Sequence, residues 1–372
     1  MSIHHVNTIS QRLSLRAPQR DALKILDRVC EIVALAKDAD PAIALSTLRS
    51  EFPTVEDFER EFLSLCFALA TGVGKTRLMG AFITYLYLVV DIRNFFILAP
   101  NLTIYNKLIA DFTPNTPKYV FTGISEFTTN PPTVITGDNY ESGAGVRSGR
   151  LFDDGIHINI FNISKINSEV RGGSAPRIKR LSEYIGQSYF DYLAGLDDLV
   201  MLMDESHRYR ASAGVRAINE LRPILGLELT ATPQVEAGGK TLPFKNVIYN
   251  YPLASAMTDG FVKEPAVATR ENFDPSAYTP EGLEKVKLED GVRIHENTKV
   301  ELEIYARNHD QPIIKPFILV VATDTIHANA LQRWIESDEF FEGRYRGKVI
   351  QVHSAIKGEE KDDVVQQLLT VE

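Results

Sequence analysis

Two short stretches carry side chains whose types and spacing can do chemistry together. The first is Ala70-Thr71-Gly72-Val73-Gly74-Lys75-Thr76. Glycines let a backbone wrap closely around an anion where a Cβ would collide. Backbone N–H groups along Thr71, Gly72, Val73, Gly74, Lys75 and Thr76 can then line a polyphosphate. The Lys75 ammonium would reach its terminal phosphates, and the Thr76 hydroxyl would hold a divalent cation. The second stretch is Asp204-Glu205-Ser206-His207. Two adjacent carboxylates offer a cation ligand, Asp204, and a base, Glu205, that orients a water and takes its proton. Lys75, Asp204 and Glu205 are the candidate catalytic residues. Thr76 and Asp204 are the candidate metal ligands, for Mg²⁺.

Such groups act only if secondary structure brings them to one place. Phe62–Leu69 is an apolar run of strand length, and Arg77–Val90 is apolar and helical in length. A strand, a Gly-rich turn and a helix is the context a phosphate-binding loop needs, with helix N–H groups aimed at the anion. Leu69 stands where the GxxxxGK[ST] pattern has its first glycine. Leu199–Met203 is a second apolar strand, and it delivers both acids at its C-terminal end. In a parallel sheet that edge also presents the phosphate loop. A third strand, Leu225–Leu229, ends in Thr230-Ala231-Thr232. Those hydroxyls can bond to the acidic segment, so His207, Thr230 and Thr232 are candidate coupling residues. The expectation is an α/β fold.

The remaining stretches are read in order. Residues 1–12 look like a loose leader, with His4 and His5 as surface histidines. Pro18 can open a helix, and Ala22, Leu23, Leu26, Val29 and Val33 follow at helical spacing. Residues 38–60 read as a short, acidic, solvent-facing helical insertion. Asn94–Ala99 is a strand closed by Pro100, and a helix starts at Asn101. Its N-terminal N–H groups with Asn101 or Thr103 can hold a nucleic-acid phosphate, and an ordinary strand–helix turn is the equal alternative. Residues 113–150 are loop-rich, with a weak strand at Thr133–Thr136. Ile156–Asn162 begins as a strand. Arg171–Arg180 is the densest basic patch and lacks interleaved aromatics. It suits phosphate contact rather than base stacking, or equally a solvated loop. A Gly-rich segment covers 234–240, and 270–310 are charged. Pro316–Thr323 reads as a new strand, 324–335 as its helix, 347–354 as a further strand, and about 359–369 as a last helix.

Length and composition set bounds. At 372 residues there is room for two or three domains. Apolar residues make up 44% and charged residues 24%, which is ordinary for a globular protein. The net charge of −9 argues against a general nucleic-acid coat but leaves room for a local basic groove. Cys30 and Cys66 are the two cysteines, read as free thiols in a reducing compartment. No signal sequence opens the chain, and the longest apolar stretch, Leu78–Val90, is too short to span a bilayer. A cytoplasmic location follows. No cluster of acids with a lysine suggests a nuclease.

Ala-Thr-Gly-x-Gly-Lys-Thr resembles motif I of superfamily 2 helicases and translocases, which often lack the first glycine. Asp-Glu-Ser-His resembles motif II, a relative of the DEAD and DEAH boxes, and Thr230-Ala-Thr232 resembles motif III. Leu15-Arg-x-Pro-Gln19 is similar to the Q motif, the 94–108 stretch to motif Ia, and 324–335 to motif IV. Asn162-Ile-x-Lys165-x-Asn167, and the run from Tyr251 through Asp259-Gly260 to Pro265, resemble the helicase (restriction, Res) subunit of type III restriction enzymes.

That resemblance implies one complete RecA-like P-loop lobe at 1–240, a bridge with a charged insertion at 241–312, and an incomplete second RecA-like lobe at 313–372. It implies ATP with Mg²⁺, and Gln19 reading the adenine edge. Asn101, Thr103, Lys165 and Asn167 would lie on nucleic acid. The implied activity is ATP hydrolysis coupled to movement on DNA, in a restriction-modification or other anti-phage system. A modification (methyltransferase) or other defence-system subunit is the implied partner. An RNA helicase or a DNA-repair translocase uses the same motor, and a non-hydrolysing nucleotide-binding scaffold is a further alternative. Intact Lys75, Asp204 and Glu205 speak against the last. The family's second lobe supplies arginines to the phosphate, whereas after Ser354 this chain has Lys357 and Lys361 and no arginine. The expectation is a piece of a longer protein, weakly active or inactive alone.

Overall fold

The computed structural model describes residues 2–142, 155–163, 178, 181–182, 187–210, 212–237 and 239–352. Its strands are β1 (Ser64–Leu69), β2 (Asn94–Ala99), β3 (Thr133–Thr136), β4 (His157–Asn162), β5 (Leu181–Ser182), β6 (Gln187–Ser188), β7 (Leu199–Asp204), β8 (Leu225–Thr230), β9 (Gln234–Ala237), β10 (Lys240–Pro243) and β11 (Val247–Tyr251). Its helices are α1 (Ser2–Arg12), α2 (Ala17–Ile32), α3 (Pro41–Glu51), α4 (Lys75–Val90), α5 (Leu102–Phe112), α6 (Ser125–Thr129), α7 (Tyr189–Gly195), α8 (Ser212–Glu220), α9 (Leu253–Thr258), α10 (Pro280–His309) and α11 (Thr325–Ile335).

Seven strands form one parallel sheet in the order β11-β1-β8-β7-β2-β4-β3. Every residue of the five inner strands is buried. This explains why those strands read as continuous apolar runs rather than as alternating patterns: helices cover both faces. Successive side chains point to opposite faces. Phe95 and Ile97 pack with α1, α2, α4 and α5, whereas Phe96 and Leu98 pack with Tyr189, Leu193 and Ile218 of α7 and α8. The parallel register puts the C-terminal ends of β1, β8 and β7 side by side, with Ala68 opposite Thr230 and Asp204 opposite Leu229.

Several expectations need correction. Residues 1–12 are not a loose leader but helix α1. Val6 and Ile9 of α1, with Leu13 just beyond it, lie on one face and are buried against the core. His4 and His5 are exposed, as expected. The 38–60 stretch is not simply solvent-facing, because Leu48, Val55 and Phe58 reach the same core. Residues 241–266, expected as part of a bridge, lie in the first compact unit. They supply β11, which pairs in parallel with β1, and the chain divides into compact units at Met1–Ala266 and Val267–Glu372. Gln234–Pro243, expected as a Gly-rich break, is a hairpin of β9 and β10.

The second unit is helical among its described residues. The expected strand at 316–323 does not form, nor does one at 347–352; residues 353–372 lie outside the described residues. A strand needs neighbours to satisfy its backbone N–H and C=O groups, and none is present among the described residues. Phe317, Leu319 and Val321 are therefore left exposed. The expected helix at 324–335 is α11, capped by the Asp324 carboxylate, which accepts from the His327 N–H at 2.8 Å. Phe340, buried among Trp334, Phe341 and Tyr345, anchors the aromatic cluster that follows α11.

Candidate active site

The loop 70–76 links β1 to α4 as the sequence implies. Gly72 and Gly74 have φ of 81° and 96°, in the left-handed region that L side chains rarely adopt. A Cβ on Gly74 would lie 2.7 Å from Gln19 Nε2. Gly74 ends the loop as the N-cap of α4, so Lys75 and Thr76 sit in the first turn, where helix N–H groups face an anion.

Gln19 lies directly beneath this loop and is almost fully buried. Its Nε2 donates to the Gly74 carbonyl at 2.8 Å, and its Oε1 accepts from the Arg16 N–H at 2.8 Å. Both ends of the amide expected to read adenine are thus used inside the chain. Arg16 donates to the Gly72 carbonyl at 2.7 Å and stacks on the Phe261 ring, 4.8 Å from its centroid. The backbone N–H of Ala70 donates to Tyr251 at the end of β11. The phosphate loop is therefore clamped by the α2 start on one side and by the β11–Phe261 stretch on the other. Sequence reading missed Arg16, although it stands inside the Leu-Arg-x-Pro-Gln pattern.

The acids meet the loop. Lys75 Nζ is 3.1 Å from Glu205 Oε1. Glu205 itself has φ of 51°, a strained conformation for a residue with a side chain, and this turns the chain sharply after β7. Asp204 is buried, and its Oδ1 has no hydrogen-bond partner among the described residues. Burial and the neighbouring Glu205 charge push the Asp204 carboxyl up to about 6, with Lys75 and Lys107 acting the other way. A buried carboxylate oxygen without a partner and a threonine hydroxyl are donors of the hard oxygen type that suits Mg²⁺. Asp204 and Thr76 thus fit the metal their positions imply.

His207 stands between motifs II and III. Its Nδ1 lies 3.0 Å from Thr230 Oγ1, 3.3 Å from Thr232 Oγ1 and 3.6 Å from Glu205 Oε2. Partial burial lowers its pKa, which keeps the ring neutral and suited to a hydroxyl contact. All three candidate coupling residues are thus in one cluster.

The candidate nucleic-acid residues divide. Asn101 caps α5, its side chain accepting from the Ile104 N–H at 2.9 Å, while Thr103 is exposed in the first turn. Lys165 and Asn167 lie outside the described residues, as does nearly all of the basic 171–180 patch. Two further features escaped sequence reading. Lys107 of α5 reaches Thr76 Oγ1 at 3.1 Å and Asp111 at 2.7 Å. Glu228, fully buried in β8, is gripped by Arg210 at 2.6 Å, Ser64 at 2.8 Å, Asn246 at 3.1 Å and Arg60 at 3.4 Å. A glutamate inside an otherwise apolar strand was the available signal, because such a charge is almost never fully buried unless paired.

Residues 12–235, more than half of the chain, match the family described as type III restriction enzyme, res subunit. The chain belongs to this family. Its first unit is an α/β lobe whose parallel sheet brings the loop 70–76, Thr230-Ala231-Thr232 and Asp204-Glu205 to three adjacent strand ends. No curated protein matches the chain. Many solved structures are similar, two among them as follows. One is the SWI2/SNF2 ATPase core of Sulfolobus solfataricus in complex with dsDNA, at 14% identity over 50% of this chain and 31% of that one, with a TM-score of 0.28. The other is the ATP-dependent Type ISP restriction-modification enzyme LlaBIII bound to DNA, at 13% identity over 53% of this chain and 14% of that one, with a TM-score of 0.35. This Res-family chain spans less than a third of the length of either.

Proposed function

We propose that this Res-family lobe binds Mg-ATP and drives an ATP-dependent motor on DNA, in a restriction-modification or other anti-phage system. The observation that carries the reading is the single cluster of Lys75, Asp204 and Glu205. The Lys75–Glu205 pair is 3.1 Å long, and a buried Asp204 oxygen is left without a partner beside it.

Each residue has a distinct task. Lys75 exchanges Glu205 for the β- and γ-phosphates, which a mobile ammonium can do without moving the loop. Glu205 is thereby released to orient a water and accept its proton. Asp204 and Thr76 would hold the metal, which would supply positive charge to offset that developing on the phosphate. His207 touches both Glu205 and the two threonines of motif III, so a change in how Glu205 is held reaches the end of β8. The exposed Thr103 and the α5 N-terminus stand at the same sheet edge and suit a nucleic-acid phosphate. DNA is supported by the family, whose description is that of a restriction enzyme subunit. A modification subunit is the partner this reading carries with it.

The test is ATP turnover by the full-length protein with Mg²⁺, comparing duplex DNA, single-stranded DNA and RNA as stimulators. DNA-stimulated turnover is the expected result. Stimulation by RNA alone would replace this reading with an RNA helicase, and tight nucleotide binding without any turnover would replace it with a scaffold.

A further inference from the structure

Lys107 lies in the stretch that resembles motif Ia but is not among the site residues expected from the sequence, yet it touches the heart of the site. It sits in the second turn of α5. Its Nζ is 3.1 Å from the Thr76 hydroxyl and 2.7 Å from Asp111 Oδ2 one turn further on. The Lys107 side chain is half exposed, whereas that of Asp111 is 7% exposed. We propose that Lys107 is a positioning residue that occupies the cation side of the phosphate loop in the nucleotide-free protein and yields it to Mg-nucleotide by withdrawing onto Asp111. The proposal rests on the nucleotide reading given above.

The geometry makes the two cations alternatives. A threonine hydroxyl that ligates Mg²⁺ must turn a lone pair to the metal. In this structure the ammonium donates to that hydroxyl, so it stands where a metal ligated by Thr76 would have a second cation for a neighbour. Two cations a few ångströms apart repel, which disfavours both staying at Thr76. Asp111 supplies the resting place. It lies at the i,i+4 position, within reach of the same ammonium, so withdrawal needs a change of side-chain rotamers and no backbone movement. Lysine, a compact charge on a flexible stem, suits such an exchange better than a planar guanidinium. The consequence extends along the helix. The start of α5 carries Asn101 and Thr103, so the metal-bound and metal-free states differ in where this helix's own charge lies.

Two neighbours of Thr76 are then expected to act in opposite directions. The measurement is the Kd of a fluorescent ATP analogue in excess Mg²⁺ and in EDTA, expressed as the ratio of the second to the first. Lys107→Met removes the competitor of Mg²⁺ at Thr76. The ratio should rise about threefold or more, the effect of a partly exposed charge pair. Lys107→Arg keeps the charge on a stiffer head and should fall between wild type and Lys107→Met. Asp111→Asn removes the resting place, so Mg²⁺ must compete with a lysine that has nowhere to go, and the ratio should fall. Thermal melts confirm that each variant folds. Ratios unchanged in both Lys107→Met and Asp111→Asn overturn the role of Lys107 and leave the nucleotide reading standing. A folded wild-type protein that binds no nucleotide in either buffer overturns both.

Discussion

Gly74 shows how much is asked of one residue. It must hold a φ of 96°, and it must leave room for Gln19 Nε2, which a Cβ would approach to 2.7 Å. Gly74→Ala should destabilise the protein by about 1–3 kcal/mol. A lowered Tm together with weaker ATP binding is the expected result, and an unchanged Tm would show that the loop relaxes freely. Asp204 makes the opposite case, a residue whose presence costs stability. Its carboxyl is lifted from 3.8 to about 6, chiefly by burial. An acid whose pKa is higher folded than unfolded destabilises the fold when ionised. That penalty is absent below pH 3.8, grows through the interval and is complete above about 6. On the order of 3 kcal/mol is at stake at neutral pH. Asp204→Asn should therefore raise the Tm of the nucleotide-free protein by several degrees while abolishing the extra stabilisation by Mg-ATP. A Tm equal to or below wild type would mean that Asp204 is not the uncompensated charge described here. The types and order of Lys75, Asp204, Glu205, His207, Thr230 and Thr232 were legible in the sequence, since each stands at the end of an apolar strand. The partners of Gln19 were not, because only the folded loop shows that Gly74 and Arg16 consume its amide.

At the scale of elements, β8 carries the heaviest electrostatic burden. Burial alone would push Glu228 up, but Arg60 and Arg210 outweigh it and hold the carboxyl below its ordinary range. Arg210 follows Asp204-Glu205-Ser206-His207, Ser64 opens β1 and Asn246 precedes β11, so one carboxylate ties three neighbouring strands to the turn that bears the candidate catalytic acids. Glu228→Gln leaves Arg60 buried without its carboxylate partner and Arg210 with Glu59 alone, and should cost about 3–5 kcal/mol, read from the urea midpoint. An acid whose pKa is lower folded than unfolded contributes stability that is full above the ordinary value of 4.5 and is lost as pH falls through the folded value. The wild-type advantage over Glu228→Gln should accordingly shrink in acid. An equal midpoint for both proteins at neutral pH would contradict this account. Elements with strong periodicity or a motif at their end were read correctly. Those that failed did so for physical reasons. The α1 face of Val6 and Ile9 is too short a pattern to stand out, and β11 reads as a link until its pairing with β1 is seen. The 316–323 run has strand composition but no partner strand among the described residues, and composition alone cannot supply one.

At the scale of the whole molecule, the site residues of motifs I, II and III and the β11–Phe261 clamp all fall within Met1–Ala266. The boundary is followed by exposed chain from Val267 to Glu271. Limited proteolysis should cut there first, as exposed connecting chain is the preferred target, and leave a fragment ending near 266 that still binds nucleotide. Cleavage first within the sheet would contradict the division. No helix among the described residues is long and apolar enough to cross a membrane. The account as a whole rests on the loop at 70–76 being a nucleotide site served by Lys75. The most direct measurement is a Mg-ATP titration of wild type, Lys75→Ala and Glu205→Gln, each shown to be folded. Wild type and Glu205→Gln should bind, the latter without hydrolysis, because its amide cannot take the proton of water. Lys75→Ala should bind at least about tenfold more weakly, having lost the charge aimed at the β- and γ-phosphates. A folded Lys75→Ala protein that binds Mg-ATP as tightly as wild type would contradict the account.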